Sequence, residues 1–179
     1  MLIVVNEIEN EIETARRKLA GMPRETNLAI TRAANRAIQQ AKTVGSKKVR
    51  STYNIQKSNL DSRINIIKSN GSSAMARFIA KGRPLKDINF KNIQRKKGIF
   101  VQVKKGQGGV INGAFYAVVN SGVGIFTRKT RKRFPIEMKY GPSVAQMFGN
   151  PDVIEEVTDV GAKAFETRLH HEVERILER

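Results

Sequence analysis

The sequence predicts an α+β domain, with helices first, a mostly antiparallel sheet of about five or six strands in the middle, and a long helix last packed on the sheet. Three observations predict it. Apolar residues recur at helical spacing through roughly residues 6–50 and again through 150–179. Between about 64 and 130 the apolar spacing shortens to two residues and is broken by Gly, Asn and Ser. Finally, Asn150-Pro151-Asp152 has the form of a helix start, with Asn as the cap and Pro at the first helical position. At 179 residues one domain is expected, large enough for its own core. Along it, 1–63 reads as mainly helical, 64–130 as a cationic sheet, 131–149 as a crossover and 150–179 as the terminal helix.

Taken in order, "LIVV" at 2–5 reads as a short strand; four apolar residues before acids make neither a signal peptide nor an anchor. "NEIENEIETARRKLAGM" reads as a helix with Ile8, Ile12, Ala15 and Leu19 on one face. Its acids come early and Arg16, Arg17 and Lys18 late, which suits the helix dipole. Gly21 stops it and Pro23 restarts the chain. A longer helix over Arg24–Arg50 carries a small-residue stripe of Leu28, Ile30, Ala33, Ala34, Ala37, Ile38, Ala41 and Val44, either a core face or a helix–helix subunit contact. A short helix is expected near Gln56–Arg63. Then "INIIKSNGSSAMARFIAKG" reads as strand, Asn-Gly turn, strand, because both turn residues tolerate positive φ. "LKDINFKN", "KKGIFVQVKKG", "INGAFYAVVNSG" and "GVGIFTRK" complete the strand count, and Gly-rich "KKGQGGVINGAF" reads as a flexible hairpin tip. Ser143–Phe148 should form a short helix after Pro142. Val153, Val157, Val160, Ala164, Phe165, Leu169, Val173, Ile176 and Leu177 form the stripe of the terminal helix.

The net charge of +17 is unevenly spread. Residues 41–140 hold 23 Lys/Arg against three Asp/Glu, whereas 141–179 hold four against eight. Such a field favours nucleic acid, acidic proteins or anionic surfaces as neighbours. The densest run, Arg128, Lys129, Arg131, Lys132 and Arg133, admits three readings. It matches the crude pattern of a nuclear address. It could neutralise phosphates in a sequence-tolerant, salt-dependent contact. Or it is a solvated loop whose charge protects a sheet edge from mispairing. Aromatic platforms for single strands are sparse; Phe126 and Phe134 flank the run and are expected to pack inward.

Catalytic chemistry finds little support. Cysteine is absent and there are two histidines, so neither a disulfide framework nor a metal cage is expected. "LHHEVE" at 169–174 fails the HExxH pattern, because Arg175 stands where the second histidine belongs. His170 and His171 are read as helix-surface or interface residues. The Gly-rich stretch lacks a P-loop ending, and Asp61, Asp87 and Glu137 lie among cations that hold carboxylates ionised, better for structural pairing than for acid catalysis. No enzyme activity, cofactor, metal, membrane span or small-molecule substrate is expected.

The stretch "RKRFPIEMKYGPSVAQMF" resembles the phage minor tail protein Z family, through Arg133, Phe134, Pro135, Ile136, Tyr140, Gly141, Pro142, Ser143, Val144, Gln146, Met147 and Phe148. "AITRAANRAIQQAKT" at 29–43, "ARFIAKGRPLKDINF" at 76–90 and the segment after "GNPDV" are similar to that family in the same order. Ala145 departs from an expected proline and Phe134 from a commoner leucine. The resemblance implies a structural virion protein of a phage or prophage tail, made in the bacterial cytoplasm. It would act in tail completion or head–tail joining near the DNA channel, as a homo-oligomeric ring of about six subunits touching tail or connector proteins. It supplies no catalytic residues. The 128–133 run would face DNA or an acidic partner, and Tyr140, Met147 and Phe148 would pin the crossover to the core or to a neighbouring subunit. The competing reading is a free basic nucleic-acid-binding protein, ribosome- or nucleoid-associated.

Overall fold

The computed structural model describes residues 7–70, 75–119 and 122–178. The strand expected at Leu2–Val5 lies outside them. The chain divides into two compact units, neither contiguous in sequence. Unit 1 comprises 1–45, 64–80 and 149–179, and unit 2 comprises 46–63 and 81–148.

In unit 1, α1 (Glu7–Lys18) ends in three basic residues. Gly21 follows at φ 88°, a backbone shape that favours glycine, and Pro23 opens α2 (Pro23–Thr52). The final helix α5 (Pro151–Leu177) starts as its sequence demands, with Asn150 Oδ1 accepting from the Asp152 N–H. Ala15 and Leu19 of α1, Ala29, Ile30, Ala33 and Ala37 of α2, and Phe165, Leu169 and Val173 of α5 bury one another. Small residues let the helices close up: a Cβ added to Gly161 of α5 would stand 3.8 Å from the Ala41 Cβ of α2. One member of the expected stripe is misplaced. Leu28 is 42% exposed, and Ala29 takes its place in the core at full burial, because Ala29, Ala33 and Ala37 keep the four-residue spacing that Leu28 breaks.

Strands β1 (Ile64–Ile67) and β2 (Arg77–Ala80) pair antiparallel from Ile64↔Ala80 to Ile67↔Arg77. The innermost described pair is Ile67↔Arg77, and Gly71 of the expected Asn-Gly turn lies outside the described residues. Just after β1, Ser69 is held to α2. The Asn35 side chain donates to the Ser69 carbonyl at 3.0 Å and accepts from the Ser69 N–H at 2.8 Å.

In unit 2 the last part of α2 is followed by α3 (Lys57–Asp61), shorter than expected, and by two three-stranded antiparallel sheets. The first has the order β3 (Lys91–Arg95), β4 (Gly98–Lys104), β5 (Gln107–Asn112). The second has β6 (Phe115–Val119), β7 (Gly122–Arg128), β8 (Ile136–Met138). Ile99 and Val101 of β4, Ala114 and Ile125 form a core cluster. The α+β class and the antiparallel pairing follow the sequence. The strands, however, number eight among the described residues and divide into three small sheets, rather than five or six in one.

Three local features account for the difference. "LKDIN" is not a strand but a 3-10 turn over Asp87–Asn89, with Leu85, Asp87 and Phe90 turned into the interior. Gly113, at φ 69°, breaks "INGAFYAVV" into β5 and β6. The Gly-rich tip is only the Lys105–Gly106 turn, since Gly108 and Gly109 are strand residues. A Cβ on Gly108 would come within 2.5 Å of the Phe100 ring, so the glycine lets β5 lie flat against β4.

Candidate nucleic-acid interface

The two units divide the charge completely. Unit 2 holds 20 of the 33 Lys/Arg and three of the 16 Asp/Glu, a net +17; unit 1 holds 13 of each and is neutral. The cationic stretch seen in the sequence therefore overstates its own extent. Lys42, Lys68 and Arg77 belong to the balanced unit. The other 20 lie in unit 2, 12 of them between 91 and 139 where its two small sheets run, and the only carboxylates of that unit are Asp61, Asp87 and Glu137.

The five basic-run residues lie where β7 ends and in the connection to β8, and all are exposed. The connection is shaped by its own backbone: the Lys129 N–H donates to the Pro135 carbonyl at 3.1 Å, and the Lys132 N–H to Thr130 Oγ1 at 3.2 Å. The Phe134–Pro135 bond is cis. The Arg128 guanidinium stacks 4.7 Å from the Phe115 ring, which in turn stacks on Phe126 at 6.5 Å. None of the five forms an ion pair with a described carboxylate. Phe126 is buried as expected, but Phe134 is 63% exposed and carries Arg133 over its ring at 5.7 Å. The inward packing expected of Phe134 is thus overturned, because the core of this sheet is already closed by Ile125 and Phe126.

The crossover has a tight internal logic. Ile136–Met138 is strand β8 rather than plain linker, and pairs Phe126↔Met138 through Arg128↔Ile136. The chain then runs beside the 3-10 turn. Asp87 N–H donates to the Lys139 carbonyl at 3.1 Å, Gly141 N–H to Leu85 at 2.8 Å, and Leu85 N–H to Pro142 at 3.4 Å. Two segments singled out separately in the sequence, 76–90 and 131–148, are therefore joined by backbone hydrogen bonds between Leu85–Asp87 and Lys139–Pro142. Gly141 is needed there, since a Cβ would meet the Phe90 ring at 2.6 Å and Asp87 Oδ1 at 3.2 Å. Ser143 and Gln146 form a capping box at the start of α4 (Val144–Phe148): Ser143 Oγ accepts from the Gln146 N–H at 3.2 Å, and Gln146 Oε1 accepts from the Ser143 N–H at 2.9 Å. Met147 and Phe148 are buried, but Tyr140 is 54% exposed and does not pin the segment to the core.

Two carboxylates have shifted titration. Burial pushes Asp87 above the ordinary carboxylate range, against the pull of Lys139, which also binds Glu137 at 3.3 Å. At Glu172 of α5, burial would raise the pKa, but hydrogen bonds from Arg32 and Arg175 and the charges of Arg168 and Arg175 outweigh it and leave the value depressed. Glu172 is 1% exposed and accepts from Arg32 at 3.0 Å and Arg175 at 2.8 Å, with Arg168 also bound. Sequence reasoning missed this residue. Its signal was the pair of arginines at i−4 and i+3 on the same helix face. His170 and His171 are exposed, and His170 Nδ1 lies 3.3 Å from Glu174. Among the described residues no three His, Asp or Glu side chains gather as a metal site, and no helix is long and apolar enough to cross a membrane.

No family model, no curated protein and no solved structure matches this chain.

Proposed function

We propose that this chain is a non-catalytic structural protein of a phage or prophage tail, acting in tail completion or head–tail joining beside the DNA channel. The observation that carries the reading is the charge partition, +17 on one unit and none on the other. A unit so charged repels itself and its copies unless anions lie within about a Debye length, ~8 Å at physiological salt. DNA in a tail lumen supplies them. The neutral unit, with its helices and Ala-rich packing, is free for subunit contacts. The family reading rests on the resemblance of residues 131–148, 29–43, 76–90 and the segment after Val153, within which Leu85–Asp87 and Lys139–Pro142 are joined by backbone hydrogen bonds.

The test is the mass of the purified full chain in solution alongside its affinity for random-sequence duplex DNA. A closed ring that binds duplex weakly, with strong salt dependence, supports the tail reading. A monomer that binds duplex at submicromolar strength favours a free nucleic-acid-binding protein. In a phage that encodes the chain, replacing Arg128, Lys129, Arg131, Lys132 and Arg133 by Gln should reduce completed tails without unfolding the protein; normal infectivity contradicts the reading.

A further inference from the structure

Unit 2 contains a polar cleft of about 460 Å³ at the C-terminal end of α2, whose lining includes none of residues 128–133. Three elements build it. Arg50 comes from the last turn of α2, Lys91 from the first residue of β3, and Lys105 from the β4–β5 turn. Asn54, Gln56, Asn59 and Asn89 add side-chain amides, and no carboxylate lines the cleft.

The backbone holds these groups in place. Lys105 N–H donates to the Thr52 carbonyl at 2.9 Å, and Asn54 N–H to Val103 at 2.8 Å, so turn and helix end are tied together. The Asn54 side chain donates to the Gln102 carbonyl at 3.0 Å. Tyr53 and Phe90 are buried beneath, at 5% and 4% exposure. The neighbouring Lys104 is engaged over the Tyr53 ring at 5.7 Å, whereas Arg50, Lys91 and Lys105 are exposed and none is ion-paired to a described carboxylate. The helix dipole accounts for a cation at Arg50. It accounts for neither lysine, which come from other elements.

Three cations with side-chain amides beside them and no acid match a phosphate group with its flanking sugar oxygens. The cleft volume is that of an ordinary small-ligand pocket, room for about one nucleotide unit. We propose that this cleft seats a backbone phosphate of duplex DNA and is a sequence-independent contact distinct from the 128–133 loop. The inference deepens the reading above and rests on unit 2 meeting DNA.

The experiment measures duplex affinity of the full chain across a salt series, for the wild type, for R50Q/K91Q/K105Q, and for the five-residue loop variant. Each neutralised phosphate contributes about 0.9 to the slope of log K against log salt, so with one phosphate seated the triple variant should lose about 0.9 slope units and about tenfold in affinity at low salt. The three side chains are exposed, and an unchanged circular dichroism spectrum and melting midpoint establish that the fold survives. A slope and affinity equal to wild type in the triple variant overturn the cleft while leaving the DNA reading intact. Absence of duplex binding by the wild type overturns both. Side-chain amide resonances of Asn54, Gln56 and Asn89 should shift on adding duplex DNA and not on adding inorganic phosphate at matched phosphate concentration. Equal shifts with inorganic phosphate would instead make the cleft a free-anion site and contradict the proposal.

Discussion

Glu172 and Asp87 are both buried carboxylates, and their surroundings drive them in opposite directions. Glu172 has three arginines and a depressed pKa, so its stabilisation is complete above the ordinary 4.5 and is lost as pH falls through the folded value. Replacing it with Gln should cost about 2 kcal/mol at neutral pH by the usual worth of hydrogen bonds to charged groups, and the gap from wild type should close in acid. Denaturant titrations at several pH values check both. Asp87 behaves inversely. Its pKa is raised above the ordinary 3.8, so its contribution is most favourable below that value and declines as pH rises through the folded one. Asp87→Asn should accordingly be as stable as wild type or more so at neutral pH, and that advantage should vanish in acid. Gly141 gives a third test at this scale. Ala there would press on the Phe90 ring and should destabilise by about 1–3 kcal/mol, measured by the denaturation midpoint.

At the scale of elements, the long helices were plain from sequence because their stripes, caps and stops agree with one another. Gly21, Pro23, Asn150 and Pro151 all sit where those residue types belong. The sheet region was less legible. Glycines mark where strands break but not which strands pair, so Gly113 could not be told from a residue inside one long strand. Leu28 looked like core because it is leucine, and the tighter alanine spacing excluded it. The basic loop was visible as composition, whereas the cleft of Arg50, Lys91 and Lys105 was invisible, since three elements distant in sequence supply it. The motif "YGPSVAQMF" carries the resemblance, and each part of it has a physical role: close approach at Gly141, capping at Ser143 and Gln146, burial at Met147 and Phe148. Ser143→Ala should remove the cap of α4 and cost about 0.5–2 kcal/mol, while Ser143→Thr should retain most of it. Thermal melts of the two variants check this.

For the whole molecule, the governing fact is that two compact units share one chain and only one of them carries a net charge. A +17 unit in dilute salt opposes its own compaction, so raising the ionic strength from low to physiological should raise the melting temperature of the free protein. A duplex polyanion should do the same at far lower concentration, because bound ligand stabilises the folded state by mass action. The measurement that bears most directly on the account is the affinity of the full chain for random-sequence duplex DNA as salt is varied. A steep negative slope of log K against log salt, unchanged between unrelated sequences, is the predicted result. No binding at low salt, or binding that does not weaken as salt rises, would contradict it.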